Sequence, residues 1–535
     1  MSAVRWLAAG LLILTGLEAC AGDTAAARAR VMTRVRAGDT HTMVLAPEGA
    51  WVGVFNRRVE PWITAPLDGA RAAVIRHELA ASLHIALTPR GFVQAAVRDE
   101  GAGSDATHYD AVWVRDAVWA YYAIAAEPGR EADAKRLLLA LWDYFARPAQ
   151  VLRFKAIILD PTRKIDQMAV PHIRFDARSP DLEDVQSGGR PEVWNHRQID
   201  ALGLFFTALG EAVRDGRIGI NDVTTARVWP LALWPRYLQR IEFTTYEDAG
   251  AWEELPRRNT SSIALATRSL EVWRALTQEH GGFVTRMIQL VPADLERPAH
   301  LAWMLPALDK QIAAGLARVR RQLALGGESP DYAPTDPHYR RADAALLALV
   351  QPSPLEGLTE PELREAVRIV RRLERPLGVL RYENDSYQGG NFWIQPAVTE
   401  SGPTGDTSSL AAFLARLKAL APGSEAQWFF DSWLALAELH LAQASRDPRL
   451  READLNDAKI HIKRALGQLT ADGALAADGA PVRPLQPPES INTVIDGRTL
   501  HALPSPIAPL NWARATLGMA LLRLERLDAA RSLRR

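Results

Sequence analysis

A helical period that runs through most of the chain is the feature that most limits its fold. From about Gly69 onward in the 535 residues, apolar residues recur every three or four positions, the spacing of one face of an α-helix. Segments with this spacing lie at 70–88, 111–126, 131–146, 197–214, 226–241, 260–277, 297–322, 340–350, 361–373, 408–420, 425–444, 452–469 and 510–530. No run of alternating strands separates them. The sequence therefore predicts an all-α fold.

Long polar segments rich in proline and glycine lie between some of these helices, at 150–193, 376–405 and 471–508. Loops of this length in a compact domain are usually functional. No clear linker divides the helical region, and no strict repeat of the solenoid type is present. The sequence leaves two all-α architectures open, an α-solenoid without a readable consensus and a closed barrel of helical hairpins.

Clusters of tryptophan, arginine and acidic residues favour the barrel. Each cluster lies just before or at the start of an apolar helix, at 109–116, 194–200, 252–254 and 488–490 followed by 509–512. Inner helices of an α/α barrel run parallel, so clusters at their N-terminal ends would converge on one pocket. Helix capping explains an isolated Asp110, but not the tryptophan and arginine beside the acids. We predict a barrel over residues 69–535 after an irregular or partly extended segment, 21–68.

The N-terminus has the pattern of a targeting segment. Arg5 precedes an apolar run over 6–14 that is too short to span a membrane, and the run leads into Leu17-Glu18-Ala19-Cys20. This resembles a bacterial lipoprotein signal, in which the cysteine is lipidated. We expect residues 1–20 to be a signal peptide, Cys20 to be the lipidation site, and the protein to be periplasmic with a lipid anchor as its membrane contact. Cleavage near Ala21 without lipidation is the alternative. Because Cys20 is the only cysteine, an intramolecular disulfide and a cysteine catalyst are excluded.

Charge and aromatic content fit a neutral partner. Lysine and arginine (63) balance aspartate and glutamate (63), so no net field would recruit nucleic acid or anionic lipid. Several of the 16 tryptophans lie in polar segments. Flat aromatic faces stack on the C–H faces of sugars while the indole N–H donates a hydrogen bond, although any one tryptophan could equally be a core residue.

Hydrolysis of a glycosidic bond requires a carboxylic acid and a second carboxylate, which stand about 6.5–9.5 Å apart when the second one activates water. The acid stays protonated near neutral pH if burial or a like charge raises its pKa. Glu253, between Trp252 and Glu254, offers both conditions. Arginine and aspartate, as in Arg115-Asp116 and at Arg381, suit the binding of sugar hydroxyls. An ordinary salt bridge or a solvated helix start would give the same short patterns.

Taken together, five segments resemble glycoside hydrolase family 15, the glucoamylase and glucodextranase family. They follow the family's order over most of residues 80–525: Tyr109 to Asp116; Arg190-Pro191 with Trp194 to Leu202; Ala251 to Glu254; Arg381 to Tyr387 with Gly390 to Trp393; and Pro488 to Ser490 with Ala508 to Trp512. The resemblance implies an (α/α)6 barrel. It also implies an inverting, exo-acting hydrolase that releases glucose from α-linked gluco-oligosaccharides or glucans with no metal or cofactor. We expect a monomer.

The resemblance also assigns roles. Glu253 would be the general acid and Glu489 the general base. Substrate contacts are expected from Tyr109, Trp113, Arg115, Asp116, Trp194, Asp200, Trp252, Glu254, Arg381, Trp393 and Trp512. The chain departs from the family pattern at 255–258, Ser490 and Arg514, and residues 278–375 match poorly, so linkage and chain-length preference stay open. A trehalase, a non-catalytic barrel like the phosphorylase kinase regulatory subunits, and a structural solenoid are the alternatives.

Overall fold

Twelve helical segments in the described part of the chain form the body of the protein. The computed structural model describes residues 29, 32–33, 35–97, 108–187, 189–291, 302–388, 408–421, 423–474 and 482–532. We number the twelve segments in chain order: α1 (Gly69–Glu78), α2 (Val114–Ala126), α3 (Glu131–Ala146), α4 (Ile199–Arg214), α5 (Val228–Arg240), α6 (Thr260–Glu279), α7 (Leu305–Leu325), α8 (the 3-10 helix Ala344–Leu349), α9 (Glu360–Val370), α10 (Asp431–Ala444), α11 (Pro448–Gly467) and α12 (Asn511–Ser532).

These segments alternate between an outer and an inner ring. The even-numbered helices form the inner ring, in which α2 packs on α4, α4 on α6, α6 on α8, α8 on α10, α10 on α12, and α12 returns to α2. Odd-numbered helices pack outside them. The ring is closed, so the prediction of an all-α (α/α)6 barrel is confirmed, and an open solenoid does not fit.

The residues of each ring explain its place. Almost every side chain of inner helix α4 is buried, whereas outer helix α7 buries a stripe with Leu308, Ile312 and Val319 at helical spacing. Helices α4 and α6 approach closely at Gly203, where a Cβ atom would lie 2.7 Å from the backbone of Leu265 and Ala266. Glycine is therefore required at this crossing.

Shorter elements join the barrel helices. The α-helices are Glu60–Thr64, Ala80–Leu83, Pro148–Leu159, Gly281–Gln289 and Leu410–Ala419, and the 3-10 helices are Arg57–Val59, Ile220–Asp222, Gly250–Trp252 and Arg371–Leu373. The strands are β1 (Thr42–Leu45), β2 (Trp51–Val54), β3 (Val112–Trp113), β4 (Arg174–Phe175), β5 (Gln186–Ser187), β6 (Arg190–Pro191), β7 (Glu374–Arg375), β8 (Gly378–Val379), β9 (Gln427–Trp428), β10 (Ser490–Asp496) and β11 (Thr499–Pro504). Strands β11-β10-β9-β8-β7 form one sheet in that order.

Short strands also lie between the helices. The predicted loop 471–508 contains the antiparallel hairpin β10–β11, and the predicted loop 150–193 contains most of the helix Pro148–Leu159. Asp496-Gly497 lies at the hairpin turn, and Gly497 has a φ of 63°, which glycine adopts readily. Proline at the first position of a helix is likewise favourable, and Pro148 starts the second of these elements.

The N-terminal segment packs on the barrel. Strands β1 and β2 pair so that Val44, Val52 and Val54 share one face, and β2 contacts α11. The backbone N–H of Phe55 donates to the carbonyl of Gly467 at 3.0 Å. Among the described residues, no helix is both long and apolar enough to cross a bilayer. The predicted signal segment, with Cys20, lies outside the described residues.

Candidate active site

One pocket gathers most of the residues that the sequence singled out. It contains about 990 Å³ of empty space, a figure that includes open solvent at its mouth. The predicted residues that line it are Tyr109, Trp113, Arg115, Asp116, Trp194, Trp252, Glu253, Glu254, Arg381, Glu489 and Trp512. Asp200 does not line this pocket, and Trp393 lies outside the described residues.

The starts of inner helices build much of the pocket. Trp113 immediately precedes α2, with Arg115 and Asp116 in its first turn, Phe430 precedes α10, and Trp512 lies in the first turn of α12. Glu489 comes instead from the segment just before β10. Its N–H donates to the carbonyl of Ile507 at 2.9 Å, while its own carbonyl accepts from the N–H of Phe429 at 3.4 Å. The backbone of Glu489 is thus held from two sides.

Glu253 has an unusual backbone. It follows the 3-10 helix Gly250–Trp252 with φ 60° and ψ 34°, in the left-handed region. This conformation costs a residue with a side chain about 1–2 kcal/mol, and such strain is concentrated at functional sites. The consequence is that Glu253 and Glu254, although adjacent, have different partners.

The surroundings of Glu253 favour its protonated form. Its Oε1 lies 3.6 Å from Nη1 of Arg115, and its side chain is 16% exposed. Burial raises the pKa of Glu253, while the charges of Arg115 and Arg174 and a hydrogen bond with Trp113 offset part of the effect. The net shift is upward, which suits a proton donor.

Arg115 is fixed from behind by Asp200. The Arg115 Nε donates to Asp200 Oδ2 at 2.7 Å, and Nη2 donates to Gln198 Oε1 at 2.6 Å. Asp200 therefore reaches the pocket only through Arg115. Asp116 lies beside them, and burial raises its pKa to about 7, helped by Glu253 and opposed by Arg115.

Glu489 is oriented by a tyrosine pair. The hydroxyl of Tyr109 donates a short hydrogen bond to Glu489 Oε1 and lies 3.3 Å from the hydroxyl of Tyr387. Burial, together with the charge of Glu489, raises the pKa of Tyr109 well above its ordinary value, so Tyr109 remains a donor. Glu489 itself is buried.

Glu254 has the opposite environment to Glu253. It accepts hydrogen bonds from Tyr382 Oη at 2.6 Å, Arg381 Nη2 at 3.0 Å and Arg340 Nη2 at 3.3 Å. Burial alone would raise the pKa of Glu254, but these guanidinium groups lower it overall. Arg381 is in turn held by both carboxylate oxygens of Asp385, at 2.6 and 2.7 Å. Glu254 is an ionised anchor for Arg381.

Aromatic rings form the remaining walls. Trp428 is stacked with Phe430, with ring centres 5.9 Å apart and an interplanar angle of 8°, and with Tyr387 at 5.8 Å. Trp252 donates its indole N–H to Asp343 Oδ1 at 2.8 Å and lies nearly parallel to Trp512 at 6.4 Å. Flat faces beside carboxyl and guanidinium groups suit a ligand with both C–H and O–H surfaces.

Sequence relatives cover only parts of the chain. No protein-family model matches it. A segment of 163 residues is 40% identical to YgeQ, an uncharacterized lipoprotein of Escherichia coli (strain K12), and covers 30% of this chain and 61% of YgeQ. A segment of 51 residues is 52% identical to the protein YgeP of the same strain, and covers 10% of this chain and 52% of YgeP. The chain thus spans about half to three fifths of the length of these relatives.

Solved structures identify the fold. Three structures of a glycosidase, the wild type and two single-residue variants, align with 86% of this chain and 99% of theirs. Their TM-scores are 0.50 to 0.51 at 16% sequence identity. The chain has the fold of a glycosidase. At this identity the likeness is one of fold.

Within this glycosidase fold, the sequence missed several pocket residues. Trp428, Phe429 and Phe430 line the pocket, and so does Arg416 from the helix Leu410–Ala419. The aromatic triplet precedes an apolar helix, as the other clusters do, and could have been found by that signal. Arg416 lies inside an apolar helix, where nothing in the sequence shows which way its side chain points.

One group in the described residues could be considered for a metal ion, namely His172, Asp184 and His196. The two imidazoles stack with centres 3.7 Å apart and an interplanar angle of 13°. Nearly parallel rings at this separation cannot both aim an in-plane lone pair at one ion. Moreover, His172 Nδ1 contacts Asp184 at 2.5 Å, and His196 Nδ1 accepts from the N–H of Ile173 at 3.3 Å. The geometry is that of a hydrogen-bonded stack.

Proposed function

We propose that the chain is an inverting, exo-acting glycoside hydrolase that releases glucose from α-linked gluco-oligosaccharides or glucans. Glu253 would be the general acid and Glu489 the general base. One observation carries the proposal: two carboxyl groups far apart in sequence line the same pocket, with different surroundings. Unequal environments are what the two roles require, since one group must hold a proton while the other accepts one.

The acid role fits the environment of Glu253. Burial raises its pKa, which favours the protonated form that a proton donor requires. Proton transfer to the glycosidic oxygen would leave a carboxylate, and Arg115, 3.6 Å away, would stabilise that charge. Glu254 is less suited to this role, because its arginine partners keep it ionised.

The base role fits the position of Glu489. The hydrogen bond from Tyr109 orients its carboxylate. Glu489 would remove a proton from water as that water attacks the anomeric carbon on the face opposite the leaving oxygen, which inverts the configuration. The carboxylate need not become bonded to the sugar.

The pocket supports recognition of a sugar at a chain end. The ring of inner helices is closed, so a substrate would enter from the mouth and place its terminal residue deepest. Arg115 and Asp116 supply donors and acceptors for hydroxyl groups, and the tryptophan walls supply flat apolar faces. No metal or cofactor is needed for these steps.

We also propose that the protein is an exported lipoprotein attached through Cys20. The support is the signal-like segment 1–20 and the description of YgeQ as a lipoprotein. Mass spectrometry of the mature N-terminus tests this. A lipid-modified cysteine as first residue is expected, and an unmodified residue 21 at that position would contradict it.

Proton NMR during hydrolysis of a panel of maltose, isomaltose and trehalose tests the proposed reaction. Release of β-glucose from maltose or isomaltose as the first-formed product is expected. First-formed α-glucose would exclude inversion. Cleavage of trehalose alone would make the protein a trehalase, and no hydrolysis of any α-glucoside, including longer oligosaccharides, would overturn the hydrolase.

A further inference from the structure

Arg174 is a buried cation behind the pocket wall. It lies on β4, directly opposite Trp113 on β3, and is only 2% exposed. Its guanidinium carbon lies 4.6 Å from the centre of the Trp113 ring and 4.1 Å from that of Trp194. Two of the tryptophans that line the pocket are thus in contact with one cation.

A carboxylate holds this cation in place. Arg174 Nη1 donates to Glu192 Oε2 at 2.8 Å. Within the described residues, no acceptor lies within hydrogen-bond distance of its Nε or Nη2. The remaining contacts of the guanidinium are therefore with the aromatic faces, an arrangement for which arginine is better suited than lysine.

Trp113, one of the two tryptophans in contact with Arg174, is linked to Glu253 directly and to Glu489 through Tyr109. Trp113 is hydrogen-bonded to Glu253. Its ring also lies 5.3 Å from that of Tyr109, whose hydroxyl donates to Glu489. Trp194 packs edge-on against Trp113, with centres 6.2 Å apart. A shift of Trp113 would consequently displace groups on both sides of the pocket.

We propose that Arg174 is a positioning residue that braces Trp113 and Trp194 and thereby fixes Glu253 and Glu489 in their working geometry; this rests on the proposed hydrolase function. Arg174 does not line the pocket, so it acts through the tryptophans. Misplacement of reacting groups by about 1 Å can lower turnover about 100-fold, so a brace of this kind has a measurable effect.

The charge of Arg174 supplies a second readout. The charged groups that act on Glu253 are Arg115, Arg174, Asp200 and Asp116. Arg174 favours the ionised form of Glu253, so removal of its charge should raise the pKa of that acid. In a pH profile of kcat/KM, the pKa of the general acid sets the alkaline limb. This limb should move to higher pH when the charge is lost, which a purely structural role would not cause.

Steady-state kinetics of Arg174→Met and Arg174→Lys against wild type tests the proposal. In the methionine variant we expect kcat to fall about 10- to 100-fold. We also expect the alkaline limb of its kcat/KM profile to move to higher pH. The lysine variant keeps the positive charge but loses the contact of a planar guanidinium with the two tryptophan rings. Its kcat should therefore fall while its alkaline limb stays near that of wild type. Arg227→Met is the matched control, because Arg227 also lies over a tryptophan (Trp142) and pairs with Asp143, but this tryptophan does not line the pocket.

An unchanged kcat and unchanged limbs in Arg174→Met would overturn the proposal, as would a loss of kcat with no movement of the limb. If that variant does not fold, Glu192→Gln, which releases the guanidinium, is tested in the same way and should lower kcat. A wild type that cleaves no α-glucoside would instead refute the proposed function. In that case the proposal can still be tested without substrate, by infrared titration of the Glu253 carboxyl, with its band assigned by difference against Glu253→Gln. A higher pKa of Glu253 in Arg174→Met than in wild type would support the proposed influence of Arg174 on Glu253. An unchanged pKa would overturn the proposal.

Discussion

Glu253 and the acids around His461 are all largely shielded from solvent, but their partners differ; the side chains of Glu253, Glu374 and Glu438 are 16%, 27% and 2% exposed. His461 on α11 contacts Glu438 on α10 at 2.7 Å and Glu374 on β7 at 3.6 Å. Burial alone would lower the pKa of His461, but these carboxylates raise it to about 10. The second region thus pairs its acids with a cation at close range, whereas Glu253 lies 3.6 Å from an arginine that Asp200 already binds.

This difference suggests that the His461 cluster stabilises the fold, whereas Glu253 serves the proposed reaction. Paired charges join an inner helix, an outer helix and a strand, so the His461 cluster holds the barrel together. An acid with a raised pKa contributes nothing comparable, because its ionised form is disfavoured in the folded state. We therefore expect substitution of Glu253 to lower turnover without loss of stability. Substitution of His461 should lower stability and leave turnover largely unchanged.

The largest effect is expected on turnover. Glu253→Gln and Glu489→Gln should each lower kcat at least 100- to 10,000-fold, since each removes a proton-transfer group and keeps the shape of the side chain. Hydrolysis of maltose and isomaltose measures this, with circular dichroism as the check on folding. Glu438→Gln, in the other region, is the matched control and should keep kcat near wild type. Near-normal hydrolysis by either pocket variant would contradict the assignment.

The next largest effect is expected on stability. His461→Leu leaves buried Glu438 without its nearest cation, and breaking a buried pair in this way costs about 3–5 kcal/mol. Urea unfolding at neutral pH measures the loss, while kcat of the folded fraction should change little. His440→Leu is the control. His440 lies on α10, the helix that carries Glu438, and burial lowers its pKa to about 4, so it is neutral at that pH. Equal destabilisation by both variants would show that the charge pair is unimportant.

A smaller effect on both turnover and stability is expected at Glu254. This residue lines the pocket, but it is paired with cations at close range, as the acids around His461 are. Glu254→Gln weakens its hydrogen bonds with Arg381, Arg340 and Tyr382. Hydrogen bonds to charged groups contribute about 1.5–3 kcal/mol, so kcat/KM should fall about 10- to 100-fold and stability should fall as well. Kinetics and urea unfolding of the same preparation measure both. A loss of activity as large as in Glu253→Gln, with no loss of stability, would assign Glu254 a direct chemical role.

Much of the barrel could be predicted because each helix has one apolar face. The segment predicted at 131–146 matches α3 at both ends, and that at 260–277 matches most of α6. The hairpin β10–β11 was missed although Asp496-Gly497 is a turn signal, because a polar segment between helices was taken to be a loop. Likewise, the predicted loop 150–193 begins inside the helix Pro148–Leu159.

The residues of the candidate site were easier to predict than their pairing. Trp113, Arg115 and Glu253 stand in short local motifs that the sequence displays. The partners that distinguish Glu253 from Glu254 are Arg340 and Tyr382, which lie far away along the chain and meet Glu254 only in the fold. The left-handed backbone at Glu253 is also set by its surroundings, since glutamate has no intrinsic preference for it.

The smallest effect is expected in how stability depends on pH. Burial raises the pKa of Glu253 above its ordinary value of 4.5, so the folded state binds this proton more tightly than the unfolded state. Wild type therefore loses stability as the pH rises from 4.5 through the raised pKa, and the loss is complete above it. Glu253→Gln lacks this loss. The variant should gain stability relative to wild type between about pH 4 and about pH 8, measured by urea unfolding at both values. At His461 the direction is the same but the pH window is higher, because the stabilisation from a histidine with a raised pKa is complete below 6.5 and is lost as the pH rises through about 10. A Glu253→Gln variant with the same pH dependence of stability as wild type would show that folding leaves the pKa of this carboxyl unshifted, and the contrast between Glu253 and the His461 cluster would then not hold.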